Sequence, residues 1–152
     1  MDGVQDEDGF SNAYLLEIGR LAVVSSTVDH MIRSILLLAD PSLTHVPRQG
    51  RKALRQALGT VLEARVQAGE LTLEAGAELL AWVDVAFIYL RRRDAAIHAL
   101  WTLDPQSGLV TGTHDSVVVP DLAAVEALVA AMRRLIAAPE MQELALVLHA
   151  AR

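Results

Sequence analysis

The sequence predicts an all-α protein, an antiparallel bundle of about five helices with a short β-hairpin or extended insert after the third helix. Apolar residues recur at helical spacing over long stretches, and prolines and glycines interrupt that pattern at several points. Hydrophobic residues make up 53% of the chain and aromatic residues only 4%, so the core must be aliphatic. A chain of 152 residues is long enough to bury such a core within one domain.

The first helix is predicted to begin after Ser11, a suitable N-cap, and to end before Asp40-Pro41. Its apolar seam repeats at alternating spacings of four and three residues, which is typical of a helix packed along its whole length. The seam consists of Tyr14, Ile18, Leu21, Ser25, Val28, Ile32 and Ile35. Residues 1–10 carry four acids and two glycines, which predicts a disordered lead. A single domain is therefore expected over 11–152.

Four more segments complete the predicted bundle. The second helix spans about 50–67 and stops at Ala68-Gly69, and Thr72 caps a third helix over about 73–100. Beyond Trp101, β-branched runs within 102–119 favour the hairpin or extended insert. Pro120-Asp121 then opens a fourth helix to about 138, and a short fifth helix follows over about 139–151.

Charge and composition narrow the classes of function. The net charge of −6 argues against a protein that coats DNA, because neutralising phosphates needs a cationic surface. The absence of cysteine excludes disulfides and thiolate chemistry. The acidic N-terminus is unlike a secretory signal, and charges interrupt the most apolar segment, 21–39. We therefore expect a soluble, cytoplasmic protein that does not enter a membrane.

Charged residues crowd at the end of the third helix, where Arg91 to His98 reads RRRDAAIH. Arg91, Asp94 and His98 fall at i, i+3 and i+7, which places them on one stripe of a helix. Arg93 and His98 are five positions apart, about 140° around an ideal helix. Cations near a helix C-terminus also compensate its dipole, so a solvated helix end is the structural alternative to a site.

Arg93-Asp94 followed by three residues and His98 resembles the motif of the HEPN superfamily, small helical proteins with Arg, a polar residue, three arbitrary residues and His. The two long helices with the motif late in the later one also resemble that family. The resemblance implies a metal-independent endoribonuclease, possible toxin activity against which a nucleotidyltransferase-like antitoxin acts, and a homodimer whose two motifs share one cleft. Some members of such a family are binding modules without catalysis.

The residue types suit RNA cleavage. Attack by the 2′-hydroxyl needs a proton acceptor and a proton donor near neutral pH, and His98 suits both roles. Arg93, with Arg91 as a second candidate, can donate hydrogen bonds to phosphate oxygens. Asp94 lies four residues before His98, where it can orient the imidazole. The alternative function is a non-catalytic dimerisation or interaction module with the same fold.

Other polar residues supply weaker candidates. One side of the second helix carries a basic stripe that can follow RNA phosphates or simply be solvated: Arg48, Arg51, Lys52 and Arg55. Asp29 and Ser25 of the first helix are candidates to support His98. The remaining histidines lack the Glu-x-x-His or His-x-x-x-His pairing of a metal site, so neither a metal nor another cofactor is expected.

Overall fold

The computed structural model describes residues 12–46, 48–100 and 120–150. This part of the chain forms five helices: α1 (Asn12–Ala39), α2 (Arg51–Gln67), α3 (Leu73–Leu100), α4 (Leu122–Ile136) and α5 (Pro139–Ala150). The prediction of about five helices is confirmed. The β-hairpin is not supported, since the described residues contain no strand, and the segment predicted to form it lies outside them, as do the predicted lead and Ser11.

Side-chain caps begin two of the helices where the sequence predicts a start. The Thr72 hydroxyl accepts a hydrogen bond from the Ala75 amide at 3.1 Å and caps α3. The Asp121 carboxylate accepts one from the Ala124 amide at 2.8 Å and caps α4. Each oxygen satisfies an amide that has no partner within its own helix, which fixes the first turn.

The ends of α1 and α2 are also set locally. Asp40 follows α1, and its carboxylate accepts hydrogen bonds from the Ser42 amide at 3.0 Å and hydroxyl at 2.6 Å, which turns the chain away from the helix. After α2, Gly69 adopts a positive φ of 72°, a conformation that side chains with a Cβ rarely adopt. The predicted stop at Ala68-Gly69 is confirmed.

The contacts of the chain group into two compact units. The first unit comprises Met1–Ser26 and Tyr89–Arg133, and the second comprises Thr27–Ile88 and Arg134–Arg152. The single domain expected over 11–152 stays a prediction.

In the first unit, the start of α1 is held to the residue before α4. The Tyr14 hydroxyl donates a hydrogen bond to the Pro120 carbonyl at 2.9 Å, across 106 positions of sequence. The buried apolar side chains of this unit are Tyr14, Leu21, Val24, Leu90, Ala96, Val125, Leu128, Val129 and Met132. The α1 seam departs from the prediction at Glu17, which is buried and pairs with Arg20, while Ile18 is half-buried.

In the second unit, polar contacts join elements that are distant in sequence. The Trp82 indole donates a hydrogen bond to the Leu135 carbonyl at 3.0 Å, and the Trp82 side chain is buried. Arg65 is 7% exposed and donates through Nε to the carbonyl of Ala39, the last residue of α1, at 2.9 Å. Its Nη1 contacts the Glu70 carboxylate at 2.5 Å. Arg65 thus ties the end of α1 to the loop before α3.

By length and composition, α1 is also the one helix in the described part of the chain that is apolar enough to cross a bilayer. Core helices of soluble proteins share this property. One side of α1 is buried at helical spacing, including Leu21, Val28 and Ile32, none of which is exposed to solvent. Leu16 and Val23, on other sides of the helix, are 56% and 72% exposed.

Replacing Tyr14 with Phe removes the hydrogen bond to Pro120, and we expect a loss of about 1 kcal/mol in the free energy of unfolding. Burial and the Asp121 carboxylate raise the pKa of Tyr14. The folded state therefore holds the phenolic proton more tightly than the unfolded chain does. As a result, the free energy of unfolding of the wild type falls as pH rises past about 10. Urea titrations at pH 7 and above pH 10 measure both effects.

The matched control is Tyr89→Phe, since the chain has two tyrosines. In that variant Tyr14 is the sole tyrosine, and its ultraviolet titration midpoint is expected above 10. A midpoint at or below 10 would contradict the buried hydroxyl.

Candidate functional site

The last turns of α3 place the RRRDAAIH residues on different sides of the helix. Arg91, Arg92 and His98 are exposed, whereas Arg93 and Asp94 are half-buried and Ala96 is 1% exposed. The buried side of α3 runs through Val83, Ala86 and Leu90 at helical spacing, and the charged side chains begin where that apolar run ends. Arg91, Arg92 and His98 therefore lie on the solvent-facing sides of α3, and Arg93 and Asp94 lie at the margin of its buried side.

Arg93 and Asp94 form an ion pair at the edge of this buried side. Arg93 Nε lies 3.1 Å from Asp94 Oδ1, and the two side chains are 27% and 34% exposed. The Arg93 Nε is fully buried and forms no hydrogen bond of acceptable geometry. The attraction holds the guanidinium beside the carboxylate, so the motif's first two residues are organised together.

His98 lies in the last turn of α3, and its side chain is exposed. Asp94 is one helical turn before it and Arg91 about two turns before it, so the three side chains share one stripe. Arg93 lies about 140° away from His98 around an ideal helix. The described geometry brings Arg93 to Asp94, and it places Asp94 on the His98 stripe.

A groove of about 470 Å³ runs between α3 and α4 within the first unit. Half of its ten lining residues are alanines: Ala95, Ala96, Ala124, Ala127 and Ala131. Arg92 lines this groove, with its guanidinium carbon 6.0 Å from the centre of the Tyr89 ring. At that distance the arginine and the ring attract each other weakly. Arg92 thus faces a different surface from His98.

The basic stripe predicted on the second helix has unequal members. Arg48 precedes α2 and so does not lie on the helix as predicted; Arg48 and Lys52 are exposed and Arg51 is half-buried. Arg55 instead forms two hydrogen bonds to Asp84 of α3, at 2.7 and 3.0 Å. This forked pair raises the pKa of Arg55 and lowers the pKa of Asp84, in both cases mainly through the hydrogen bonds. Arg55 serves to join α2 to α3.

The two predicted supporting residues on α1 have local partners. Asp29 accepts a hydrogen bond from Arg33 Nε at 2.9 Å, one helical turn away. Ser25 is 1% exposed, and its hydroxyl donates to the Ala22 carbonyl at 3.0 Å. Their predicted support of His98 stays a prediction. Within the described residues, no group of three or more histidine and acidic side chains is placed to hold a metal ion.

Arg65 is the polar residue whose role sequence reasoning missed. A signal for its burial was available, because Arg65 continues the α2 seam of Leu54, Leu58 and Leu62 at helical spacing. The alanine groove also had a signal, since Ala124, Ala127 and Ala131 fall at i, i+3 and i+7.

Comparisons of the chain with protein-family models, with curated proteins and with solved structures found no match. The resemblance to HEPN proteins therefore depends on the motif in α3 and on the helical architecture.

We expect Asp84→Asn to weaken the hydrogen bonds that join α2 to α3. Arg55 holds the pKa of Asp84 below its ordinary value, so the pair stabilises the fold above about pH 4 and loses that contribution as pH falls below it. Since Asp84 is 52% exposed, the loss at pH 7 is at most about 1 kcal/mol. Urea titrations between pH 7 and pH 3 measure the free energy of unfolding, and we expect it to fall less steeply with falling pH in the variant than in the wild type.

Glu63→Gln is the control, because it removes an exposed carboxylate from α2 without touching the pair. If the free energy of unfolding of Asp84→Asn falls with pH as steeply as that of the wild type, the stabilising role of the Arg55–Asp84 hydrogen bonds is contradicted.

Proposed function

We propose that this protein is an endoribonuclease that cleaves RNA without a metal ion, with His98, Asp94 and Arg93 as its site. The observation that carries the proposal is the exposed His98 on one stripe with Asp94, whose carboxylate is paired with Arg93. An exposed histidine is accessible to a polymer, as this reaction requires, whereas a buried one would not be. The resemblance of the motif to that of HEPN nucleases supports the same function.

In the proposed reaction the RNA supplies its own nucleophile. His98 accepts the proton of a 2′-hydroxyl, whose oxygen attacks the adjacent phosphorus, and the bond from phosphorus to the 5′-oxygen breaks. A protonated histidine donates a proton to that leaving oxygen, which yields a 2′,3′-cyclic phosphate and a 5′-hydroxyl. The Arg93 guanidinium stabilises the negative charge that develops on the phosphate.

Two histidines in opposite protonation states perform this sequence more readily than one. The proposal therefore includes a homodimer in which the His98 of a second copy donates the second proton. A second copy also relieves the angular separation of Arg93 and His98, because an arginine of one copy then meets the histidine of the other. A cytoplasmic toxin held in check by a nucleotidyltransferase-like antitoxin is the setting that the resemblance suggests.

The second candidate function is a non-catalytic module that associates through α1. Leu15, Leu16 and Val23 are 50%, 56% and 72% exposed, so α1 presents aliphatic side chains to solvent that a partner could cover. A second copy is the proposed occupant, because like surfaces pair across a two-fold axis. Leu16→Glu with Val23→Glu is then expected to yield monomers in sedimentation while His98 substitutions change nothing measurable.

The central prediction is that purified wild-type protein cuts single-stranded RNA in the presence of EDTA and that His98→Ala does not. We expect a loss of at least about 100-fold, since the substitution removes the acid–base group. Arg93→Ala is expected to lose activity as well. Gel analysis of a labelled RNA, with phosphatase-resistant cyclic ends on the product, measures the reaction.

His30→Ala and His45→Ala are matched controls, because both histidines are exposed and neither belongs to the site. Circular dichroism must show that every variant keeps its helices. Unfolding of His98→Ala, equal activity in wild type and His98→Ala, or no cutting by wild type would each exclude the proposed site.

A further inference from the structure

Three consecutive arginines at the end of α3 have three different surroundings. Arg91 is exposed, Arg92 faces Tyr89 and the alanine groove, and Arg93 is 27% exposed beside Asp94. A helix turns by about 100° per residue, so neighbouring side chains cannot share a side. The three cations therefore cannot act on one ligand in the same way.

Arg91 is the arginine whose head group is not engaged elsewhere. Among the described residues, no hydrogen bond, ion pair or ring contact involves it. Arg91 lies seven positions before His98, which returns it to within about 20° of the same direction around the helix. It is thus the arginine aligned with His98, although the resemblance assigns the motif to Arg93.

Distance along the axis separates Arg91 from the bond that would be cut. Seven residues rise by about 10 Å, whereas a reacting oxygen must lie within about 3 Å of the His98 imidazole. Asp94 lies between them on the stripe, and its ion pair with Arg93 offsets the repulsion that its carboxylate would exert on a phosphate.

We propose that Arg91 binds a phosphate of single-stranded RNA next to the one that is cleaved, and so places the strand along the stripe that leads to His98. The inference rests on the proposed ribonuclease function. Its chemistry is that of an exposed guanidinium with two parallel donors and a phosphate with two accessible oxygens. Such a contact holds the backbone whatever the base, so it supplies affinity and register and carries no sequence preference.

The test compares Arg91→Ala with Arg92→Ala in full-length protein. The two residues are adjacent, both exposed and equally charged, and they differ in the side of α3 that they occupy. The probe is a fluorescein-labelled 2′-O-methyl oligouridylate, which cannot be cleaved because it lacks free 2′-hydroxyls. Fluorescence anisotropy between about 50 and 200 mM salt measures affinity and its salt dependence.

We expect Arg91→Ala to bind about tenfold more weakly at low salt and to lose about 0.7 from the slope of log affinity against log salt. Arg92→Ala keeps the wild-type slope. With cleavable RNA, Arg91→Ala raises KM while kcat changes little, because the lost contact lies away from the reacting atoms. Equal effects of the two substitutions would reduce Arg91 to general surface charge and overturn the inference, as would no binding of the probe by wild type.

These outcomes separate the inference from the function on which it rests. If the slope changes as expected but no RNA is cut, the nuclease proposal fails and the phosphate site at Arg91 remains. If RNA is cut and His98→Ala abolishes cutting while Arg91→Ala binds like wild type, the nuclease proposal stands and the Arg91 inference is wrong.

Discussion

The turn of about 100° per residue in α3 is the constraint on which the proposed site depends. Val83, Ala86 and Leu90 lie on the inner side of that helix and are buried in the core. Their burial fixes the direction in which every later side chain of α3 points. In this orientation of the helix, the His98 side chain is exposed to solvent, and Arg93 lies beside Asp94 at the edge of the buried side. A cluster that reads as one block of charge in the sequence is divided among three surroundings in the folded chain.

Polar contacts between distant segments support the packing of the helices within each unit. In the second unit, Arg55 donates a hydrogen bond to Asp84, and the Trp82 indole donates one to the Leu135 carbonyl. These bonds join α3 to α2 and to the end of α4. In the first unit, the Tyr14 hydroxyl binds the Pro120 carbonyl just before α4. Each of these contacts is worth at most about 1 kcal/mol, which is modest beside the aliphatic burial, but each is directional. They select one packing among those that a Leu- and Ala-rich core would accept.

Local signals predicted the helices well, because the Thr72 and Asp121 caps and the Gly69 stop each act within a few residues of sequence. The partners of charged residues were harder to predict, since they depend on which helices adjoin. Arg55 appeared to belong to a phosphate-binding stripe, yet it is engaged by an aspartate 29 positions later. Arg65 shows the same limit, because its seam position indicates burial while its acceptor on Ala39 becomes evident only when α1 and α2 are placed together.

The most direct test of the proposed site follows the His98 imidazole by nuclear magnetic resonance while a 2′-O-methyl RNA is added, with His98→Asn used to assign its signal. We expect the His98 resonance to move on saturation, because RNA bound at this helix end changes the surroundings of the imidazole ring. The exposed His30 and His45 are expected to keep their positions and serve as internal references. An unmoved His98 signal in the presence of bound RNA would contradict the claim that this helix end is the RNA-cleaving site.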